Sequence, residues 1–208
     1  MIKSNLYNKI QRCDFKKVFA KKGYAFFTKG VYNLNIIGVR ANNNKVTNRF
    51  DDFIVVIYST NNKDNCMVAF PATTEPGITY MQNPMNGKGA AILPEGQYRG
   101  TWKWGFHKNK YRALVQCKPI TVYRDKNKDD KYDLDPKTFD KGMFGINIHK
   151  AGEASQYVNN WSAGCQVIAK ETDYNTFINL CKKQMASGHG DTFTYTLINE
   201  NDLVYGTH

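Results

Sequence analysis

The spacing of apolar residues along the chain changes three times, once near the N-terminus and twice towards the C-terminus. Over residues 5–22, Leu6, Ile10, Phe15, Val18 and Phe19 recur among lysines at a loose helical period. This predicts a short amphipathic helix or small N-terminal lobe that stops before Gly23, where the chain can turn. From Tyr24 the pattern becomes that of strands: "YAFFTKG", "YNLNIIGVR", "DFIVVIYST" and "CMVAFPATT" are short runs of β-branched and aromatic residues, with "NNNKVTN" and "TNNKDN" as turns between them. The stretch "TTEPGITYMQNPMNGKGAAILPEGQYRGTWKWGFH" is dense in Gly and Pro, which predicts a long ordered loop system with a strand near its end and no helix. Further strands are expected in "YRALVQCKPITVYRD", "GMFGINIH" and "SAGCQVIA". Thr172 to Ala186 has Tyr174, Phe177, Ile178, Cys181 and Met185 at steps of three and four, the pattern of a helix with Thr172 as its N-cap. An alternating strand, "DTFTYTLIN", closes the chain. Neither an internal repeat nor a linker is apparent, so the expected fold is mainly β (α+β), with a helical segment at 1–23 and one β-rich domain at 24–208.

Composition adds a folded core and a basic surface to this picture. A chain of 208 residues buries about 70% of the surface its unfolded form exposes, and 41% hydrophobic and 13% aromatic residues argue against disorder. The formal charge of +11 favours polyanions, whether nucleic acid, anionic lipid or acidic cell-wall polymer. The lysines are spread along the chain and do not form a basic tail, so a solubilised surface is the competing reading, and nucleic acid is the least supported partner. Five cysteines without a CxxC pair argue against a zinc ribbon and a disulfide framework, and point to synthesis in a reducing compartment. The first residues lack the apolar core of a signal peptide, and no run of about eighteen apolar residues could span a bilayer.

The candidate chemistry lies in "GINIHKAGEASQYVNNWSAGCQV", where His149 and Cys165 stand sixteen positions apart. A cysteine acts as a nucleophile through its thiolate, so it needs an imidazole to take the proton and a polar, accessible setting. Ala163 and Gly164 leave room for a substrate carbonyl, and the backbone N–H groups of Gly164 and Cys165 are candidate oxyanion donors. His149 ends a predicted strand, and a second strand beside it would bring Cys165 alongside. Packing is the competing reading, because free cysteine is among the most buried residue types.

The arrangement of His149 before Ser162-Ala163-Gly164-Cys165 resembles the signature of the L,D-transpeptidase catalytic domain. More of the chain, roughly residues 30 to 170, including "NRFDDFIVVIY", "FPATTEPG", "KGAAILPEGQYRG", "FGINIH" and "WSAGCQV", resembles a family of uncharacterised proteins from tailed bacteriophages. The resemblance implies an L,D-transpeptidase-like β-sandwich or partly closed barrel over 24–208. It also implies a cysteine that forms a thioester with peptidoglycan stem peptides. Carried over by position, Cys165 is the nucleophile and His149 the base; Lys150 supplies the carbonyl that orients the imidazole, and Ser162 and Gly164 support the loop. This chain has Ala163 where the family's motif has histidine, and Val167 where it has asparagine or arginine. Hydrolysis through the same acyl-enzyme needs only nucleophile, base and water. The expected activity is therefore that of a peptidoglycan-directed cysteine peptidase, a phage endolysin or virion-associated enzyme. Such a protein would be made in the host cytoplasm and would act at the bacterial cell wall or reside in the virion. A non-catalytic virion or host-binding protein keeping the fold is the alternative.

Four residues are candidates for binding substrate. Tyr98 and Arg99 could meet a stem-peptide carboxylate, His107 an acidic group, and Trp161 flanks the cysteine segment; loop packing and a surface-strand histidine are the plainer readings of the first three. His189 reads as a turn residue. No catalytic zinc is expected. In "DKNKDDKYDLD", Asp125, Asn127, Asp129 and Asp133 fall at the alternate positions of a calcium loop. Against this, Asp130 replaces the glycine of the sharp turn, Pro136 stands at the twelfth position with Asp135 one before it, and Lys126, Lys128, Lys131 and Lys137 oppose a cation. A plain solvated turn is the alternative.

Overall fold

The computed structural model describes residues 5–43, 45–61, 65–153 and 155–205. Three strand runs read from the sequence, β1 (Asn35–Arg40), β2 (Asp52–Ser59) and β3 (Asn65–Thr73), form an antiparallel meander. A short sheet strand β4 (Ala90–Ile92) follows, and then the long β5 (Gly96–His107) and β6 (Tyr111–Gln116) make a hairpin. Beyond them come β7 (Ile120–Asp125), β8 (Asp140–Gly142), β9 (Ile148–Lys150), β10 (Gln166–Ile168) and β11 (Thr192–Asn199). Eight strands close into a barrel in the order β1-β11-β5-β6-β9-β10-β3-β2, and β4, β7 and β8 form a small second sheet. Two of the barrel pairs, β1 with β11 and β9 with β10, are parallel. The barrel is thus closed, where a sandwich or partly closed barrel was expected.

Strand β2 shows why its sequence is apolar nearly throughout. Ile54 and Val56 join Ile36, Phe70, Trp102, Leu114, Ile148, Ile168, Tyr195 and Leu197 in the main core. Their alternates Phe53, Val55 and Ile57 pack with Ile37, Val39 and Ile198 against the N-terminal helices. Those helices are two, α1 (Asn5–Gln11) and α2 (Phe15–Lys22). Asp14 separates them: its carboxylate accepts the Lys17 N–H (3.0 Å) and caps α2, which Gly23 ends in the left-handed conformation at φ 69°. Leu6, Ile10, Phe15, Val18 and Phe19 are all buried, so the segment is a cover over one barrel wall.

Two other expectations need correction. The Gly/Pro-rich middle contains a short helix, α3 (Ile78–Gln82), started by Gly77. The long helix α4 spans Glu171–Ala186, so Thr172 lies inside it; Lys170 occupies the N-cap position without a side-chain bond. Glu171 and Asp173 in the first turn face the positive end of the helix dipole. Tyr174, Phe177, Ile178, Leu180 and Cys181 bury one face of α4 in the main core.

Candidate active site

Parallel pairing of β9 and β10 sets Gln166 beside Ile148 and Val167 beside His149. Ile146, Ile148 and Ile168 point into the main core. With a side-chain period of two, Asn147, His149, Cys165 and Val167 therefore share the opposite face. Cys165 lies next to Asn147: its sulfur accepts the Asn147 N–H (3.4 Å) and the thiol donates to the Gly145 carbonyl (3.5 Å). The turn leading to it is closed by Ser162, which is fully buried. Ser162 Oγ accepts the Gly164 N–H (3.1 Å) and donates to the Cys165 carbonyl (2.8 Å). Gly164 sits at φ 121°, and a Cβ there would fall 2.5 Å from the Ala91 carbonyl oxygen, so only glycine fits. One of the expected oxyanion donors is thereby corrected. The Gly164 N–H is held by Ser162, whereas the Cys165 N–H has no partner among the described residues.

The histidine side is built by the β5–β6 hairpin. Lys108 and Asn109 turn the chain in the left-handed region, at φ 48° and 56°, so that His107 and Tyr111 face one another across the ladder. His149 Nδ1 lies 2.8 Å from the Lys150 carbonyl oxygen. A carbonyl only accepts, so Nδ1 carries the proton and Nε2 keeps its lone pair. The Tyr111 hydroxyl is 3.3 Å from both Nδ1 and that carbonyl, donating to the carbonyl. A second chain of bonds fixes His107. Asn147 Oδ1 accepts the Gln116 N–H (3.0 Å), so its amide nitrogen must donate to His107 Nδ1 (3.1 Å), and His107 holds its proton on Nε2. The two imidazoles stack with centroids 4.0 Å apart and 22° between planes.

Burial, helped by the neighbouring His107 and Lys108, lowers His149 to about 3. Burial and then Lys108 lower His107 to about 4. Burial pushes the Cys165 thiol above its ordinary value, opposed by the Asn147 N–H and the Lys108 charge. At neutral pH the site thus holds a neutral thiol beside neutral imidazoles. Burial raises Tyr111 to about 12, with Cys165 and Glu171 adding to the rise, so its hydroxyl stays a donor.

Two cavities are lined by neighbours of the cysteine, and Cys165 itself lines neither. One, of about 300 Å³, is lined by His107, Lys108, Tyr111, His149 and Trp161. The other, of about 280 Å³, is lined by Ala91, Arg124, Met143, Phe144 and Ala163. Tyr80 of α3 lines both, and Cys165 stands two residues from Ala163.

Of the expected binding residues, Trp161 lies on the cavity rim, 39% exposed. His107 is in the site as a buried ring, and not as a surface-strand histidine. Tyr98 and Arg99 are not brought there. Tyr98 stands nine positions before His107 on β5, a distance of roughly 30 Å at strand rise. Tyr98 donates to the Pro94 carbonyl (2.6 Å) and packs edge-on against Trp102, and Arg99 lies over Phe27. Lys108, Tyr111 and Asn147 were not singled out by sequence reasoning. The alternation in "GINIH" places Asn147 on the face of His149, and "HKNKY" reads as a hairpin joining His107 to Tyr111; these are the signals that could have found them. Compared with known proteins, the chain matches no family model, no curated protein and no solved structure.

Proposed function

We propose that the protein is a peptidoglycan-directed cysteine peptidase with an L,D-transpeptidase-like site, serving as a phage lytic enzyme at the bacterial cell wall. The observation that carries this reading is the bond from His149 Nδ1 to the Lys150 carbonyl, on the strand next to Cys165. It leaves Nε2, which has no partner among the described residues, as the basic nitrogen. The basic surface suits an anionic wall polymer. Among the described residues no helix is long and apolar enough to cross a membrane.

In the proposed reaction the thiol proton passes to His149 Nε2 as the sulfur attacks a stem-peptide carbonyl. A C–S bond forms, the carbonyl oxygen takes the negative charge, and the Cys165 N–H is the donor positioned to meet it. The C–N bond then breaks, and the amine leaves with the proton from the imidazolium. Water attacks the thioester, giving one proton to His149, and the C–S bond breaks. The proton returns to the sulfur, releasing the acid and the free thiol.

The test is digestion of purified sacculi, with released muropeptides followed by mass spectrometry for the wild type, Cys165→Ala and His149→Ala. Release by the wild type that both substitutions abolish is expected; release that survives either one overturns the dyad. One observation favours the second reading, a non-catalytic virion or host-binding protein: the half-buried Cys165 thiol is bonded to Gly145 and held protonated. No release from any sacculus type would favour it.

A further inference from the structure

The acidic loop after β7 is closed by its own bonds. Asp125 accepts the Asp133 N–H (2.9 Å), the Asn127 side-chain oxygen the Asp129 N–H (3.1 Å), and Asp129 the Lys131 N–H (2.8 Å). Its polar groups are thus spent on its own backbone. The cavity of about 300 Å³ lined by His149 is the opposite case. Lys108 and Lys110 both line it, and among the described residues neither forms an ion pair. Among the described residues no aspartate or glutamate lines it, and Glu171, the acidic group felt by the neighbouring Tyr111, is paired with Lys150. With both imidazoles neutral, the two lysines alone charge this cavity. The Lys108 charge is felt inwards, at His107, His149 and Cys165. The hairpin turn holds that residue at φ 48°, in the left-handed region that favours glycine and asparagine.

We propose that this cavity receives the terminal carboxylate of the leaving portion of a peptide substrate, paired with Lys108 and Lys110. The inference rests on the peptidase reading above. In that reaction His149 Nε2 gives its proton to the departing amine, so the leaving portion lies on the side of the imidazole. His149 lines the cavity, and its Nε2 has no partner among the described residues. The Cys165 sulfur meets the Asn147 N–H, two positions before His149 on the same extended segment, a distance of roughly 7 Å at strand rise. One or two residues beyond the scissile bond cover that span. The volume agrees, being at the low end for a small-molecule site. Trp161 and Tyr80 supply the apolar wall for the body of the leaving residue. The activity is then that of a carboxypeptidase, which trims the free end of a peptide.

Lysine is a compact charge on a flexible stem, so it meets a carboxylate without fixing its geometry. Both lysines are exposed, and salt screens each pairing. The pair together therefore sets a preference of about tenfold for the acid, with Trp161 and Tyr80 indifferent to charge.

The test is binding, kept apart from turnover, on the full chain carrying Cys165→Ala. N-acetyl-alanyl-alanine with a free carboxylate, and the same peptide as its amide, are titrated to about 20 mM, each in both configurations of the last residue. The Trp161 indole N–H and His149 Cε1–H signals are followed by NMR. Saturable shifts with the acid are expected, with the amide bound about tenfold more weakly. The acid should bind about tenfold more weakly to Lys108→Gln/Lys110→Gln and equally well to Lys108→Arg/Lys110→Arg. No saturable shift with the acid, equal binding of the amide, or unchanged affinity in the glutamine variant would each overturn the proposal. Acid-selective binding without muropeptide release by the wild type would uphold the carboxylate site and sink the peptidase reading. Release without such binding would do the reverse.

Discussion

His107 and His149 lie face to face at 4.0 Å, and burial keeps both rings neutral, in His149 against the Lys150 carbonyl bond that favours its cation. His107 Nδ1 must accept from Asn147, and His149 Nδ1 must donate to Lys150. A proton on either ring puts a charge against the other in a desolvated stack, so the pair resists acid together.

The first consequence is a pH-dependent stability. Both histidines titrate below their unfolded value of about 6.5, at about 3 and about 4. Their stabilising effect is full above pH 6.5 and is lost as pH falls towards those values, because the unfolded chain binds protons that the folded one refuses. The loss is of order 1.4 kcal/mol per pH unit for each ring. Burial raises Asp52 to about 6 and also raises Glu75, and these act with the opposite sign on acidification. The readout is therefore a difference. In urea unfolding between pH 7 and pH 4, His107→Gln/His149→Gln should lose less stability than the wild type. Parallel pH curves would contradict the neutral stack.

Asn147→Asp should reverse the state of His107. Gln116 still donates to one carboxylate oxygen, and the other now faces Nδ1 as an acceptor, so the ring gains by protonating. An NMR titration of the histidine Cε1–H signals should show His107 moving from about 4 to above 6.5. A ring that stays near its original value would disprove the tautomer assignment.

Ser162→Ala removes a buried hydroxyl that bridges Gly164 and Cys165, and should destabilise by about 1–3 kcal/mol. Gly164→Ala should be worse, since its Cβ meets the Ala91 carbonyl and φ 121° is strained for any side chain. Denaturant midpoints measure both, and a midpoint for Gly164→Ala at or above that of Ser162→Ala would count against the close approach.

Much of the strand content and the helix α4 was legible because local pattern and burial agree. "DFIVVIYS" is apolar on both faces because both faces are covered, one by the main core and one by Leu6, Ile10, Val18 and Phe19. Barrel closure was not legible, since β1 pairs in parallel with β11, whose residues stand about 160 positions away and leave no local trace. The strands β9 and β10, three residues each, are too short for alternation to mark their limits. His149 and Cys165 are candidates in the sequence through their spacing and the resemblance of their segments, whereas Lys108, Tyr111 and Asn147 come beside His149 through pairing that only the fold supplies. Tyr98 and Arg99 were misplaced for the same reason: one long strand carries them and His107, and its length separates them.

The parallel pairing of β9 with β10 obliges the chain to leave one end of the first strand and return to the other. On that connection Asn160 and Trp161 line the His107–His149 cavity before the chain reaches Ser162 and Cys165. Wall and sulfur are thus stretches of the same short rope. Trp161 and Cys165 stand four positions apart on it, and between them the buried Ser162 anchors the segment to the Gly77 N–H and the Cys165 carbonyl.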